Sequence, residues 1–374
     1  MKLMHLADFH LDSAFSGFDK DRAEQKREEL RSCFVRAMQI AKQRKVELVL
    51  ISGDLFDTPF CTLATRKTVF GSIKEVGCPV VIAPGNHDYY NKNGTYADKD
   101  LPENAYVFTS DELGRFDFDE LGVSVVGYAF TSDRYDANPL GTNVPLSENN
   151  VNILCAHTEL GAPLSKYAPM STGAISGCGF TYAALGHVHV PPAPANVGSS
   201  LIAYSGFPQG RSFDELGAGG AYIVDIDLEQ KRASCERVTL STLTYEIEKI
   251  DVTGADDDSY VEDKISEIIK THGYGENTAL RVVLEGSVVS DYAIDEGRLS
   301  ALECFSHLAL LQIKNKTAPN FDLAYLVSDT SVRGEVYRTL LPLLESSDEN
   351  ERQKGALALK FALAALDKRE LTVD

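Results

Sequence analysis

Five short motifs in the first 190 residues limit what this chain can become more than any other feature. They are Asp8-Phe9-His10, Gly53-Asp54-Leu55-Phe56-Asp57, Gly85-Asn86-His87-Asp88, the single His157, and Gly186-His187-Val188-His189. Each closes an apolar stretch with strand character, in order MKLMHL, VELVLIS, PVVIAP, VNILCAH and YAAL. Open α/β sheets place their ligand-binding loops at such C-terminal strand ends. Five of the chain's eight histidines fall at these positions, which scatter would rarely produce. Taken singly, DxH also fits a capped strand end, GDxxD or GNHD a polar turn, and GHxH an exposed strand end. Their order and shared placement favour one site. His5, inside the first strand, reads as a packed core histidine, and His272 and His307 have no motif around them.

The residue types suit metal-assisted phosphodiester hydrolysis. That reaction needs neutralised phosphoryl charge and hydroxide near neutral pH, and two metal ions about 3.5–4 Å apart supply both. An anionic bridge between such cations is required, and the Asp54 carboxylate can serve. Imidazole, carboxylate and amide donors together suit manganese, iron or zinc better than calcium or magnesium.

Around the motifs the pattern is β-α-β-α-β. Residues 20–45 carry Leu30, Phe34, Ala37, Met38 and Ala41 at helical spacing, and a second helix is expected near 62–76. Further strands are expected at 123–130, 151–157, 182–188, 200–206 and 221–228. After about residue 240 a second β-α-β-α-β run begins, with EGRLSALECF as its second helix. Two helical segments close the chain, near 332–346 and 349–369. The expected division is 1–240, a small α/β domain at 241–330, and C-terminal helices at 331–374.

Composition narrows the class. At 44% hydrophobic and 24% charged, the chain is neither disordered nor fibrous. Seven cysteines without a CxxC pair fit neither a disulfide framework nor a zinc ribbon and point to a reducing cytoplasm. The first residues lack a leader's apolar core, and no stretch is apolar enough for a spanning helix.

The ordered set DxH, GDxxD, GNHD, H, GHxH resembles the calcineurin-like metallophosphoesterases, and within them the SbcD-type DNA repair nucleases and their YhaO-like branch. The stretch Tyr204-Ser-Gly-Phe-Pro-Gln-Gly-Arg-Ser-Phe-Asp-Glu-Leu-Gly217 carries the narrower likeness. The resemblance covers residues 1–240 and implies a layered metallophosphoesterase β-sandwich flanked by helices, with a small α/β capping domain beyond. It implies one metal on Asp8, His10, Asp54 and His189, and another on Asp54, Asn86, His157 and His187. His87 would contact the scissile phosphate and assist the leaving group, and Asp88 would orient a histidine, with Asp57 in a similar role. Strand alternation alone would have put His187 and His189 on one face; the two-metal assignment comes from the likeness. The chain lacks the Arg that protein Ser/Thr phosphatases carry soon after their GD motif, and has Asp57 where purple acid phosphatases place a ligating Tyr.

The resulting expectation is a manganese-dependent phosphodiesterase acting on DNA, as exonuclease and also endonuclease, working with an SMC-like ATPase. Family members commonly form homodimers. The alternatives are a small-nucleotide or generic phosphodiesterase, and a non-catalytic adaptor of the ATPase. The net charge of −19 stands against simple DNA binding. It is uneven: residues 1–240 hold 22 basic and 30 acidic side chains, and the remainder 14 and 25. Residues 20–45 hold nine basic and four acidic side chains, a candidate contact for a phosphate backbone or an ordinary solvated face. The stripes Val336/Leu340/Leu341/Leu344 and Leu357/Phe361/Ala364/Ala365 would either dock the ATPase or pack on their own domain.

Overall fold

A computed structural model describes residues 1–141, 143–289, 292–320 and 323–366. The first half alternates strands and helices: β1 (Lys2–Leu6), α1 (Lys20–Gln43), β2 (Leu48–Ile51), α2 (Leu63–Val76), β3 (Val80–Ile82) and β4 (Ala105–Val107). Then come β5 (Gly114–Phe118), β6 (Val123–Gly127), β7 (Val151–His157), α3 (Thr172–Cys178), β8 (Tyr182–Gly186), β9 (Ala195–Val197), β10 (Ser200–Tyr204), β11 (Gly220–Asp227) and β12 (Arg232–Thr239). These strands form two six-stranded sheets, ordered β12-β11-β1-β2-β3-β4 and β5-β6-β7-β8-β10-β9. The run β1-β2-β3-β4 is parallel, as is β6-β7-β8-β10. All the motif-bearing strands therefore point their C-terminal ends the same way within each sheet.

Alternation along the strands builds the layers. Leu3, Leu48, Leu50 and Val81 face Val125, Ile153, Tyr182 and Ala184 between the sheets. Met4, Leu6, Val49 and Ile51 face the other way, against Leu30, Phe34, Ala37, Met38 and Ala41 of α1. The second sheet's outer face, with Leu154, Ala156, Leu185 and Ile202, packs on Ile175 of α3 and on Phe180. This is the layered α/β sandwich expected from the sequence. Each fully buried Leu, Val or Phe contributes about 1.5–3 kcal/mol of transfer free energy. Asp19 caps α1 by accepting from Arg22 N–H at 3.0 Å, and Gly77 ends α2 with φ +79°.

Part of the positive charge of α1 is matched locally. Arg31 pairs with Glu24 and Glu28 at 2.6 and 2.7 Å, Arg27 with Glu24 at 2.9 Å, and Lys26 with Glu29 at 2.9 Å. Arg44 pairs with Glu236.

Later elements are β13 (Thr244–Asp251), α4 (Asp258–His272), β14 (Thr278–Glu285), β15 (Ser287–Val289), α5 (Glu296–Ser300), β16 (Leu310–Asn315), β17 (Ala318–Asn320), α6 (Leu323–Ser328), α7 (Val332–Leu344) and α8 (Glu349–Leu366). The helix expected over EGRLSALECF shrinks to α5 and one turn at Glu303–Phe305, because Leu302 is extended, at φ −63° and ψ 136°. The strands β4, β5, β9 and β12 had no clear sequence signal. Two compact units result: Met1–Ile247 with Tyr274–Arg281 and His307–Leu311, and Glu248–Gly273 with Val282–Ser306 and Gln312 onward. In the second unit Val336, Leu340, Leu341 and Leu344 pack against a small core of Leu326, Tyr337, Leu359 and Leu363. The first apolar stripe is thus occupied within its own unit. In the second stripe Leu357 is exposed and Phe361 half-buried, and the Ala364 side chain lies outside the described residues. No helix among the described residues is long and apolar enough to cross a membrane.

Candidate metal centre

The loops leaving β1 and β2 are zipped together by backbone bonds. Asp8 N–H donates to the Gly53 carbonyl at 3.1 Å, His10 N–H to Asp54 at 2.9 Å, and Leu11 N–H to Leu55 at 3.0 Å. Asp8, His10 and Asp54 hold φ of +56°, +46° and +51°, and His187 one of +105°. Such conformations cost of order 1–3 kcal/mol each and gather where surrounding structure imposes them for function. The glycines of the motifs allow close approach. A Cβ on Gly53 would overlap the His157 ring, and one on Gly85 the Asp54 carboxylate.

This geometry brings Asp8, His10, Asp54, Asn86, His87, His157, His187 and His189 into one cluster. The donor atoms of three overlapping groups lie within 4.8 Å of one another: Asp8/His10/His189, His10/Asp54/His87, and Asp8/Asp54/His157. Asp54 is central. Its Oδ1 accepts the His87 backbone N–H at 3.0 Å, while Oδ2 lies 3.6 Å from His10 Nε2 and 3.4 Å from His157 Nε2. One carboxylate oxygen thus stands between two imidazoles. His187 stacks edge-on to His157, with centroids 5.1 Å apart, and 4.5 Å from the Tyr167 ring.

Hydrogen bonds on the far side of each ring define its free nitrogen. His10 Nδ1–H donates to Asp57 at 3.2 Å, His189 Nδ1–H to Glu215 at 2.8 Å, and His157 Nδ1–H to the Ser52 carbonyl at 3.0 Å. Lone pairs then converge. His10 Nε2 faces His189 Nε2 at 3.2 Å, and His157 Nε2 faces the Asn86 Oδ1 at 3.0 Å. Facing acceptors repel unless a Lewis acid, proton or metal cation, lies between them. The donor set fits two divalent ions.

Asp88 departs from its expected role. It is fully buried, and its carboxylate accepts the backbone N–H groups of Gly85 (2.7 Å), Asp54 (3.1 Å), Leu55 (2.8 Å) and Phe56 (3.2 Å), together with the Tyr96 hydroxyl. A carboxylate engaged by five donors from two loops holds the Asp54 and Gly85 turns in register. The acids against histidines are Asp57, on His10, and Glu215, on His189, not Asp88. Burial, then the Asp54 charge, pushes Asp88 up to about 6.

Electrostatics across the cluster are tense. Burial, reinforced by Asp54, raises Asp8 to about 7. Burial would raise Asp54 as well, but His157, His10 and His87 more than offset it and hold it below the usual carboxylate range. Burial lowers His10 and His157, and burial with His157 nearby lowers His187 to about 4. His189 is the exception: burial opposes its proton, yet Glu215 and Asp8 raise it above the ordinary value. His87 lies at the mouth, 45% exposed, with Nδ1 3.3 Å from the Asp57 carbonyl. It borders a groove of about 340 Å³ lined also by Thr58, Pro59, Asn86, Tyr89, Asp133 and Tyr167.

Glu215, Arg211 and Ser13 contribute to the site without having been singled out in the sequence. The first two lie in the segment that carried the narrower likeness, so the signal was present without a role attached.

Residues 1–191 match the calcineurin-like phosphoesterase family. The chain belongs to that family. It is a metallophosphoesterase, and the cluster described above is its candidate divalent-metal site. Among curated relatives, it is 28% identical over 307 residues to the uncharacterized metallophosphoesterase YhaO of Bacillus subtilis (strain 168), covering 77% of this chain and 72% of that one. It is 27% identical over 252 residues to the DNA double-strand break repair protein Mre11 of Methanopyrus kandleri, covering 61% and 54%. It is 24% identical over 260 residues to a subunit of the nuclease SbcCD of Staphylococcus epidermidis, covering 62% and 67%. The chain spans about half the length of the Mre11 relative.

Proposed function

We propose that this metallophosphoesterase is a two-metal phosphodiesterase acting on DNA, as an exonuclease with endonuclease activity as well, in the processing of DNA ends. The observation that carries the two-metal reading is the Asp54 Oδ2 standing between His10 and His157 Nε2, at 3.6 and 3.4 Å. Asp8, His10 and His189 would share Asp54 to hold one ion, and Asn86, His157 and His187 would share it to hold the other. Manganese is the proposed metal, with iron or zinc compatible with the same donors. When bound, the ions supply charge neutralisation at a phosphoryl group and a lowered pKa for water.

The chain's own residues supply the rest. Asp54 would serve both positions, and the His87 N–H fixes its Oδ1. The Asp57 carbonyl holds Nδ1–H of His87, which leaves Nε2 as the nitrogen that would meet the substrate; with both ring nitrogens protonated, Nε2 would hand its proton to the leaving oxygen and Nδ1 would keep its own. Its exposed ring at the groove mouth suits that role. Asp88 acts one step back, holding the Asp54 loop.

DNA as substrate rests on the relatives named as a DNA double-strand break repair protein and as a nuclease subunit. The latter also supports the proposal of a partner chain, an SMC-like ATPase. The domain reading is a nuclease domain over 1–240, a cap over 241–330, and partner-docking helices beyond 331; the exposed Leu357 is compatible with docking. Acidity fits weak DNA affinity for the chain alone.

The test compares labelled single- and double-stranded DNA with bis-p-nitrophenyl phosphate in Mn²⁺ and in EDTA. DNA cleavage in Mn²⁺, absent in EDTA and reduced at least about 100-fold in Asp54→Ala and His87→Ala, is the expected result. Turnover of the small diester with intact DNA would move the substrate to small nucleotides. Undiminished cleavage by Asp54→Ala would sink the mechanism.

A further inference from the structure

His189 is held differently from His157. Where His157 leans on a neutral backbone carbonyl, His189 leans on the carboxylate of Glu215, which is itself almost wholly buried. A carboxylate in that position needs compensation, and Arg211 provides it. Arg211 donates from Nη2 to Glu215 Oε1 at 2.6 Å, from Nε to the same oxygen at 3.0 Å, and from its backbone N–H to Oε2 at 2.8 Å. The guanidinium Nη2 also lies 3.2 Å from His189 Nδ1, a longer contact than the carboxylate's 2.8 Å. Its Nη1 reaches the Ser13 hydroxyl at 3.4 Å, and that hydroxyl donates to Asp57 Oδ1 at 3.2 Å, the oxygen that accepts from His10 Nδ1. One chain of contacts therefore joins the outer nitrogens of His10 and His189, whose inner nitrogens face each other at 3.2 Å.

We infer that Arg211 and Glu215 are positioning residues for one metal position only, the one lined by Asp8, His10 and His189. Glu215 fixes the Nδ1–H tautomer of His189 and so aims the Nε2 lone pair inward. Arg211 holds Glu215 in its orientation by bonding both of its oxygens. The position lined by Asn86, His157 and His187 shares none of these contacts. The inference rests on the two-metal reading and adds a consequence to it: damage to Glu215 disables one position and spares the other. Outer partners of ligating histidines typically change metal affinity by about 10–100-fold.

The experiment titrates Mn²⁺ into the metal-stripped full chain by calorimetry and records the electron paramagnetic resonance spectrum at saturation. The wild type should take up two ions and show an exchange-coupled signal. Glu215→Gln keeps the side chain's size but removes its charge. It should retain one ion at wild-type affinity, weaken the other about 10–100-fold, and give an uncoupled six-line spectrum at one equivalent of Mn²⁺ per chain. A general loss of structure would weaken both ions together, and that result would overturn the inference. So would two ions at wild-type affinities. If Glu215→Gln does not fold, Arg211→Gln, which removes the guanidinium that orients Glu215, decides by the same two readouts. A wild type that binds fewer than two ions refutes the two-metal reading itself, whatever the variants do.

Discussion

His5 and His157 are both fully buried, and their neighbours give them opposite fates. His5 is satisfied on both nitrogens, accepting from the Tyr182 hydroxyl at 2.8 Å and donating to the Leu185 carbonyl at 3.1 Å. His157 is satisfied on one and keeps the other for the metal cluster. Burial lowers His5 to about 3, so the folded chain binds fewer protons there than the unfolded chain, whose imidazole titrates near 6.5. The sign follows: this contribution is complete above about pH 6.5 and is lost as the pH falls toward 3, by about 1.4 kcal/mol per pH unit. Urea unfolding in EDTA at pH 7, 6 and 5 should show His5→Gln losing one proton's worth of that slope relative to wild type. Parallel curves would mean that His5 carries its proton in the folded state. His5 was readable as a core residue because it sits inside a strand, away from the motifs. Glu215 was not, because a carboxylate 26 residues from His189 has no spacing that advertises the contact.

At the scale of elements, strands and helices with strong periodicity were legible. The apolar stripe of α1 and the runs of β2 and β7 lie where their patterns put them, since each buries an apolar face. The strand β12 was hidden: as an edge strand it buries no face completely, and its half-buried positions, Ala233, Cys235 and Val238, are too few and too small to stand out from their polar neighbours. The surplus of positive charge on α1 was legible too, but its use was not. Arg31 is only 7% exposed and is braced by Glu24, Glu28 and Asp12. Arg31→Met should therefore cost about 1–3 kcal/mol of stability, less than a fully buried pair because Glu24 and Glu28 are over half exposed. The same variant should leave the salt dependence of DNA binding unchanged. A slope reduced by about one in log K against log salt would show instead that Arg31 meets a phosphate.

Across the whole molecule, the small core of α6, α7 and α8 shares no residue with the apolar clusters around the two six-stranded sheets, and this gives stability and metal binding different dependences. Leu363 is fully buried in the small core of α6, α7 and α8. Leu363→Ala should destabilise the second unit by about 2–5 kcal/mol while Mn²⁺ uptake at low temperature stays at the wild-type stoichiometry. Loss of Mn²⁺ in step with loss of that core would contradict the separation. The charge of −19 has the same uneven character: four of the acids, Asp8, Asp54, Asp57 and Asp88, are gathered at the metal centre. The kind of chemistry and its location at strand ends were legible from the residues alone, because ligating residue types and apolar runs are local properties of the chain. Which acid steadies which histidine was decided only by tertiary structure. Asp88 went to the backbone of a neighbouring loop, Asp57 to His10, and Glu215 to His189, because those pairings depend on how strands from two sheets converge in space.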